Sequence, residues 1–267
     1  MGVVNVTPDS FSDGGRFLDP EAAASHGVRL ADEGAAILDI GGESTRPGAE
    51  PVSAEQEVER ALPVIERLAE AATETRLSID TMKLDVARAA LAAGAEIVND
   101  VSAFRSAPEM AGLVAESGAD CCLMHMRGEP RTMQDDPRYD DVVADVAAFL
   151  EDRLRFAVSE GVHEERVWLD PGIGFGKTVD HNLELLRRLD EIVALGRPIV
   201  VGASRKSFLG RLTGREVGDR LPGTIAANVL ALERGARIFR VHDVAAVGDA
   251  LRVAAATVGA RWTTGDR

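Results

Sequence analysis

The sequence predicts an α/β fold, a (β/α)8 TIM barrel, from three observations. Eight short aliphatic runs each stop on a polar or charged side chain, and a helical pattern follows each of them. The runs are too short for helices and lack alternation, which is typical of strands buried on both faces. The chain has 267 residues, close to the roughly 250 of one such barrel. We therefore expect a single domain over residues 1–267 with its active site at the C-terminal ends of the strands.

The eight predicted strands recur at intervals along the whole chain. They comprise residues 3–6, 36–40, 77–79, 97–98, 121–124, 167–169, 199–201 and 238–241. Because the first run begins almost at residue 1, we expect the chain to lack a lead-in segment before the barrel. The carboxyl ends of all eight strands should meet at one mouth of the barrel.

Helix signals occupy the intervals between these strands. Asp19 before Pro20 is typical of a capped first turn, and Ser53 with Gln56 has capping-box spacing. We expect helices at residues 19–34, over about 20 residues from Ser53, and at 83–93, 107–117, 139–161, 180–194, 221–234 and 243–257. Four of them are followed by a glycine typical of a helix end, namely Gly94, Gly118, Gly161 and Gly235. The longest loops, residues 7–19, 41–52 and 126–138, then lie at the mouth.

Composition excludes several classes of function and partner. The net charge of −14 disfavours nucleic acid and anionic membranes as partners. No apolar run approaches the ~18 residues of a membrane span, and the start of the chain lacks signal-peptide features. Cys121 and Cys122 are adjacent within a predicted strand, a poor arrangement for a disulfide, so we expect a reducing cytoplasm.

Basic residues are almost all arginine, because the chain has only three lysines. Lys83, Lys177 and Lys206 each follow a predicted strand on the mouth side. Chance placement in an arginine-rich sequence explains this pattern about as well as function does. We assign a function to Lys206 alone.

Three polar side chains end predicted strands, and a lysine follows a fourth. Asp80, Asn99 and Asp170 end strands 3, 4 and 6, and Lys206 follows strand 7. Together they offer acceptors, an amide and a cation, which can match the edge of a flat nitrogen heterocycle. Two carboxylates in one pocket need a nearby cation or ligand N–H groups to stay ionised. The alternative is that each residue caps the helix that follows it.

A second group of residues suits a phosphate-bearing anion. Arg240 and His242 alternate at strand 8 and so point the same way, while Asn5 precedes loop 1 and Arg46 lies in loop 2. Arginine binds oxyanions through two N–H groups, and this fold commonly binds phosphate near strands 7 and 8. A hard cation such as Mg2+ could be held by Asn5 together with ligand phosphates. The alternative for Arg240 is a structural ion pair with Asp243.

Two further features have less specific functional interpretations. His125 lies between Met124 and Met126, where a hydrogen-bonded structural histidine is the commoner explanation. The glycine-rich stretch at residues 172–177 does not match a nucleotide-binding loop. It can instead bring the backbone and Phe175 close to a ligand.

Eight motifs, in order along the whole chain, resemble those of the dihydropteroate synthases, the pterin-binding enzymes of folate biosynthesis. They are NVTPDSFSDGG at 5–15, DIGGESTRPG at 39–48, SIDT at 78–81, VNDVS at 98–102, LMHM at 123–126, DPGIGFGK at 170–177, GASRKS at 202–207 and RVHDV at 240–244. The resemblance implies condensation of 6-hydroxymethyl-7,8-dihydropterin diphosphate with 4-aminobenzoate. It also implies a Mg2+ cofactor, a sulfonamide-sensitive site and a homodimer.

The resemblance also implies roles for particular residues. The implied pterin set is Asp80, Asn99, Met124, Asp170, Phe175 and Lys206; the diphosphate set is Asn5, Arg46, Arg240 and His242, with the metal at Asn5; and the aminobenzoate set is Phe11, Thr45, Pro47, Phe175 and Ser204. Asp80, Lys206, Arg240 and His242 are the implied catalytic residues. Arg205 is expected to be structural or to support the substrate loop.

Two other functions remain open from the sequence. Related pterin-binding barrels transfer a methyl group from methyltetrahydrofolate, and they would share the Asp and Asn residues but not loops 1 and 2 or Arg240 and His242. A non-catalytic pterin-binding paralogue would bind pterin without turnover.

Overall fold

The protein forms eight parallel strands and ten α-helices in the part of the chain that the computed structural model describes, residues 1–7, 19–45 and 48–259. The strands are β1 (Gly2–Asn5), β2 (Ile37–Gly41), β3 (Arg76–Asp80), β4 (Ile97–Asp100), β5 (Asp120–Met124), β6 (Val167–Asp170), β7 (Val200–Val201) and β8 (Ile238–Phe239). The helices are α1 (Pro20–Asp32), α2 (Ala54–Ala71), α3 (Leu84–Ala92), α4 (Met110–Ser117), α5 (Val142–Ser159), α6 (Val179–Arg187), α7 (Leu189–Val193), α8 (Ser207–Thr213), α9 (Leu221–Glu233) and α10 (Val244–Val258).

The strands close into the predicted barrel. β1 to β6 form one parallel sheet in chain order, and β7 pairs with β8. Parallel bridges join Leu169 to Ile199 and Gly2 to Val241, which connects both edges of the two sheets. The Val3 amide donates to the Val241 carbonyl at 3.1 Å across the second junction. The predicted (β/α)8 fold is therefore confirmed.

The bottom of the barrel interior is apolar. Ile37, Ile97 and Trp168 pack together there with Cys122 and Val200. The side chains of a strand alternate between its two faces, so residues two positions further along even-numbered strands also point inward. Those residues form a polar layer directly above the apolar one: Asp39, Asn99, Asp170 and Arg240. Alternate strands thus supply four side chains to one layer, as is usual in this fold, and here that layer is the floor of a cleft.

The helix caps agree with the sequence signals. Asp19 accepts the Glu21 amide at 3.1 Å, and the Ser53–Gln56 capping box is formed in both directions. The C-terminal glycines adopt positive φ, for example 111° at Gly94 and 104° at Gly235. These contacts satisfy backbone groups that a helix end leaves without partners.

Several predicted helix boundaries are wrong. The helix predicted at 180–194 is two helices, α6 and α7, because Arg188 leaves helical geometry with φ −110° and ψ 29°. α4 begins at Met110 rather than 107, since the residue before Pro108 is disfavoured in helical geometry. α5 begins at Val142 rather than at residue 139, and Asp141 caps its first turn. α8 after β7 was not predicted.

The two cysteines are free and buried. Burial raises the pKa of both thiols, because a thiolate is poorly solvated inside the barrel wall. We expect neither thiol of the native protein to react with a disulfide reagent at pH 8, and both to react after denaturation in guanidinium. A fast stoichiometric reaction of the native protein would contradict this placement.

None of the described helices has the length and apolarity needed to span a membrane.

Candidate active site

A cleft opens at the C-terminal ends of the strands. Ten of the predicted site residues line it: Thr45, Asp80, Asn99, Met124, Asp170, Phe175, Ser204, Lys206, Arg240 and His242. Asn5 is the last residue of β1, and it is not among the described residues that line the cleft. Phe11, Arg46 and Pro47 lie outside the described residues.

Arg240 is the central cation of the cleft. Its Nε donates to Asp39 Oδ2 at 2.6 Å and its Nη2 donates to Asp80 Oδ2 at 2.8 Å. Burial raises the pKa of Asp80 to about 7, with Asp39 adding to the shift and Arg240 opposing it. The alternative of an Arg240–Asp243 pair is wrong, because Asp243 pairs with Arg205 instead. Nor does Asp80 cap a helix, since Lys83 occupies the N-cap position of α3.

Asp39 is a site residue that the sequence reasoning missed. Its side chain is fully buried and accepts three hydrogen bonds. Besides Arg240, the donors are Ser78 Oγ at 2.6 Å and Asn99 Nδ2 at 3.1 Å. Asp39 therefore holds both the guanidinium and the Asn99 amide at the floor of the cleft. The signal available in the sequence is a single acid inside an aliphatic run.

Asp170 and Lys206 lie on another side of the cleft. Asp170 Oδ1 accepts the Gly172 amide at 2.7 Å within the turn after β6, and it does not cap α6, whose N-cap residue is Thr178. Lys206 Nζ donates to the Ile173 carbonyl at 2.6 Å and lies 3.9 Å from the centroid of the Phe175 ring. Burial lowers the pKa of Lys206 to about 7, against the opposing attraction of Asp170. Lys206 thus shares the cleft with Asp80, and burial shifts the pKa of each to about 7.

The glycine-rich turn after β6 requires glycine for steric reasons. Gly172 has φ 67°, and a Cβ built there would lie 1.9 Å from the His125 carbonyl oxygen. A Cβ at Gly174, where φ is 83°, would lie 2.8 Å from Lys206 Cδ. The turn can therefore press against β5 and place the Ile173 carbonyl and the Phe175 ring beside Lys206.

The ends of β7 and β8 are tied together beside the cleft. Ser204 Oγ lies 3.0 Å from His242 Nδ1 and accepts the His242 amide at 3.2 Å. Arg205 has φ 56°, and its guanidinium pairs with both oxygens of Asp243 at 3.0 and 2.6 Å. The structural role expected for Arg205 therefore agrees with its contacts, while Ser204 and His242 face the cleft.

His125 is a buried structural histidine, as the commoner explanation predicted. Its Nδ1 lies 3.0 Å from Lys177 Nζ, which also donates to the Phe175 carbonyl at 2.9 Å. Burial lowers the pKa of His125 to about 2, and the Lys177 charge adds to the shift. The imidazole is therefore neutral, and it joins β5 to the glycine-rich turn.

The described residues contain no group of three or more His, Cys, Asp or Glu side chains placed to hold a metal ion. A Mg2+ ion that binds together with substrate phosphates needs only one or two protein oxygens. Asn5, at the carboxyl end of β1, offers a side-chain amide oxygen of this kind. The residues present thus fit a metal that arrives with phosphate better than a resident metal centre.

The chain is similar to known pterin-binding proteins over most of its length. Residues 1–242 match the family described as pterin binding enzyme. The chain is 45% identical to dihydropteroate synthase of Escherichia coli (strain K12) over 261 residues, which cover 98% of this chain and 92% of that protein.

Two solved structures show the same likeness. Xanthomonas albilineans dihydropteroate synthase with 4-aminobenzoic acid matches with TM-score 0.89 and 51% identity, covering 98% of this chain and 93% of that one. Yersinia pestis dihydropteroate synthase in a sulfonamide drug complex matches with TM-score 0.94 and 42% identity, covering 97% and 94%.

Proposed function

The chain belongs to the dihydropteroate synthase family of pterin-binding enzymes, and from this premise we propose that its cleft condenses 6-hydroxymethyl-7,8-dihydropterin diphosphate with 4-aminobenzoate. The observation that supports this most strongly is the polar layer of Asp39, Asn99, Asp170 and Arg240 with Asp80 above it. Such a layer offers alternating donors and acceptors at the closed end of a cleft. A flat heterocycle with several ring and amino N–H groups satisfies them when it binds edge-on.

Pterin recognition in this proposal uses the six residues assigned from the sequence. Asp80 and Asp170 accept N–H groups of the heterocycle, and Asn99 contributes its amide, which Asp39 holds at 3.1 Å. Lys206 donates to a ring heteroatom. Met124 and Phe175 line the cleft and contact the flat faces of the ring. Buried donors and acceptors discriminate well, since a ligand that fails to pair them loses affinity.

The diphosphate lies in this proposal near the ends of β1 and β8. Among the described residues, Arg240 uses Nε and Nη2 for its two carboxylates, which leaves Nη1 for an oxyanion. His242 faces the same cleft, and Asn5 and Arg46 complete the set. Bound Mg2+ would be held by Asn5 and would supply further stabilisation of the departing negative charge.

The reaction requires no activated nucleophile on the protein. The C–O bond to diphosphate breaks first, and its electron pair leaves with the diphosphate oxygen. Arg240 and His242 stabilise this negative charge, while Asp80 stabilises the pterin methylene cation. The amine nitrogen of 4-aminobenzoate then forms the new C–N bond with its lone pair and releases a proton to solvent. Catalysis is thus electrostatic, in keeping with a cleft of fixed charges.

The aminobenzoate subsite is assigned to Phe11, Thr45, Pro47, Phe175 and Ser204. Thr45, Phe175 and Ser204 line one continuous cleft with the pterin residues. Sulfonamides resemble 4-aminobenzoate in shape and would compete for this subsite.

Turnover of defined substrates tests the proposal directly. The protein is incubated with Mg2+, pterin diphosphate and labelled 4-aminobenzoate, and both diphosphate and the labelled conjugate are measured. We expect the two products in equal amounts. Pterin binding by calorimetry without either product would favour the non-catalytic paralogue. Methyl transfer from methyltetrahydrofolate to a cobalamin protein would favour the methyltransferase.

A second copy of the chain is the proposed partner of the α9–α10 face. Twelve residues of α9 precede its first charged side chain, Glu233, yet part of this helix is exposed. Leu230 is 52% exposed, and Val253 and Val258 on α10 are 69% and 51% exposed. Exposed apolar surface on two adjacent helices is typical of an interface. A homodimer through this face also agrees with the dimer that the motifs imply.

Introducing a charge into this face should produce a monomer. Val253→Glu would place a carboxylate in the apolar contact, and its desolvation costs several kcal/mol. Sedimentation equilibrium should show a dimer for the parent protein and a monomer for the variant. The control is Val158→Glu on α5, where Val158 is 40% exposed, and this variant should remain dimeric. A monomeric parent protein would refute the proposal.

The remaining assignments concern location and domain structure. A cytoplasmic location is proposed because both thiols are free and buried, a state that suits a reducing compartment. We also propose that residues 1–267 form one barrel domain.

A further inference from the structure

The loop between β2 and α2, residues 42–53, is joined at its two ends by one carboxylate. Glu43 lies two residues after the end of β2, and Val52 lies two residues before α2. Glu43 Oε1 accepts the Val52 amide at 3.0 Å. The contact fixes where the loop leaves the strand and where it enters the helix. Thr45, two residues after Glu43, lines the cleft.

Lys83 connects this carboxylate to the protein interior. Its Nζ donates to Glu43 Oε2 at 2.7 Å and to Glu57 Oε2 at 2.6 Å. The Glu57 side chain, on α2, is fully buried, whereas that of Lys83 is 26% exposed. One ammonium group therefore bridges the loop, helix α2 and the segment after β3.

The electrostatics of this cluster require the lysine. Burial raises the pKa of Glu57, and the hydrogen bond from Lys83 opposes that shift. Burial also tends to lower the pKa of Lys83, but the hydrogen bonds from its ammonium to Glu43 and Glu57 outweigh it, and the pKa is raised. Two carboxylates this close would repel each other without the ammonium between them. The Lys83 ammonium therefore lies between the two carboxyl groups and holds them together.

Steric contacts hold the same end of the loop against α2. A Cβ at Gly42 would lie 2.9 Å from the Glu57 carbonyl oxygen, so glycine permits this close approach. Arg60 Nη1 donates to the Gly42 carbonyl at 3.0 Å. The first residue of the loop, Gly42, is therefore held against α2, and the Lys83 contact holds Glu43, the residue that follows it.

We propose that Lys83 is a positioning residue for the second substrate, acting through Glu43 on the β2–α2 loop. The inference rests on the proposed function, because it assigns Thr45 in this loop to the aminobenzoate subsite. Lys83 does not line the cleft, and Asp80 is held separately by Arg240. Loss of Lys83 therefore alters the loop and leaves the pterin-binding side chains in place.

The test is Lys83→Met, which keeps the length and apolar stem of the side chain and removes its charge. We expect KM for 4-aminobenzoate to rise about 10-fold, because small displacements of positioning groups cost one to two orders of magnitude. The affinity for pterin diphosphate should stay within about 2-fold of the parent value. Hydrogen exchange of residues 42–53, measured without substrates, should become faster in the variant.

Two further variants separate positioning from general stability. Glu43→Ala removes the loop contact but keeps the Lys83–Glu57 pair, so it should reproduce the KM effect even where Lys83→Met folds poorly. Arg67→Met breaks an exposed ion pair between Arg67 on α2 and Glu21 on α1 and should leave both substrate constants unchanged.

The outcomes distinguish the two levels of inference. If the parent protein shows no turnover, the proposed function is overturned. Hydrogen exchange of residues 42–53 in the Lys83→Met variant would still test the loop contact, because it is measured without substrates. An active parent with an unchanged aminobenzoate KM in both Lys83→Met and Glu43→Ala would overturn the positioning role. Equal loss of affinity for both substrates would also overturn it, since that result indicates a purely structural cluster.

Discussion

Replacing Arg240 by methionine is expected to lower the unfolding free energy by about 3–5 kcal/mol, because removing one partner of a buried ion pair leaves uncompensated charge. Asp39 and Asp80 would face each other inside the barrel without the guanidinium that bridges them at 2.6 and 2.8 Å. Turnover should fall at least about 10-fold, or roughly 1.4 kcal/mol of transition-state stabilisation. Urea denaturation and steady-state kinetics measure the two effects.

The matched control is Arg76→Met at the opposite end of the barrel. Arg76 pairs with Glu96 and Asp120, but its side chain is 38% exposed, so its loss should cost less than about 1 kcal/mol. Adding Asp39→Asn to Arg240→Met should recover part of the lost stability and none of the activity. Near-parent activity in Arg240→Met would contradict both the charge arrangement and the catalytic assignment.

The positions of most cleft residues could be predicted from the sequence because strand ends are local features. Asp80, Asn99 and Asp170 end aliphatic runs, and the carboxyl ends of parallel strands meet wherever the barrel closes. Arg240 could be placed in the mouth from its alternation with His242. Their pairing could not be predicted, since Arg240 and Asp39 are 201 residues apart in sequence.

Asp39 was missed because it lies inside its run, two residues before the end of β2. Whether an interior residue reaches the cleft depends on the stagger between neighbouring strands, here Val3 beside Asp39 and Asp39 beside Ser78. That register is a property of the closed barrel and not of one strand. The same limit applies to α6 and α7, where leucines at helical spacing continue across Arg188 and hide the break.

The three lysines show a related limit of sequence reasoning. Only Lys206 was assigned a function, yet Lys83 and Lys177 each occupy a site where one nitrogen meets several acceptors. Lys83 bonds to two carboxylates, and Lys177 bonds to a ring nitrogen and a carbonyl oxygen. A compact ammonium with three donors suits such sites better than a planar guanidinium. The partners come from distant segments, so only the fold reveals them.

Substituting alanine for Gly172 is expected to destabilise the protein by about 3 kcal/mol, since left-handed backbone strain of about 1–2 kcal/mol adds to overpacking of about 1–3 kcal/mol. The new Cβ would lie 1.9 Å from the His125 carbonyl oxygen, which cannot move without distorting β5. The turn must therefore shift outward. That shift breaks the Gly172–Asp170 hydrogen bond of 2.7 Å and displaces the Ile173 carbonyl that holds Lys206.

Gly112→Ala provides the control for this substitution. Gly112 lies within α4, and a Cβ there meets no other atom within 4 Å, so alanine should stabilise the protein by about 0.5–1 kcal/mol. Thermal denaturation should show that Gly172→Ala lowers stability and Gly112→Ala raises it. That result would show that the Gly172 effect comes from the contacts of the new Cβ. Gly172→Ala should also lower kcat/KM at least about 10-fold, because a displaced Lys206 no longer meets the ligand. Parent-like stability and kinetics in this variant would mean that the turn does not press against β5, and the positioning of Lys206 would then need another explanation.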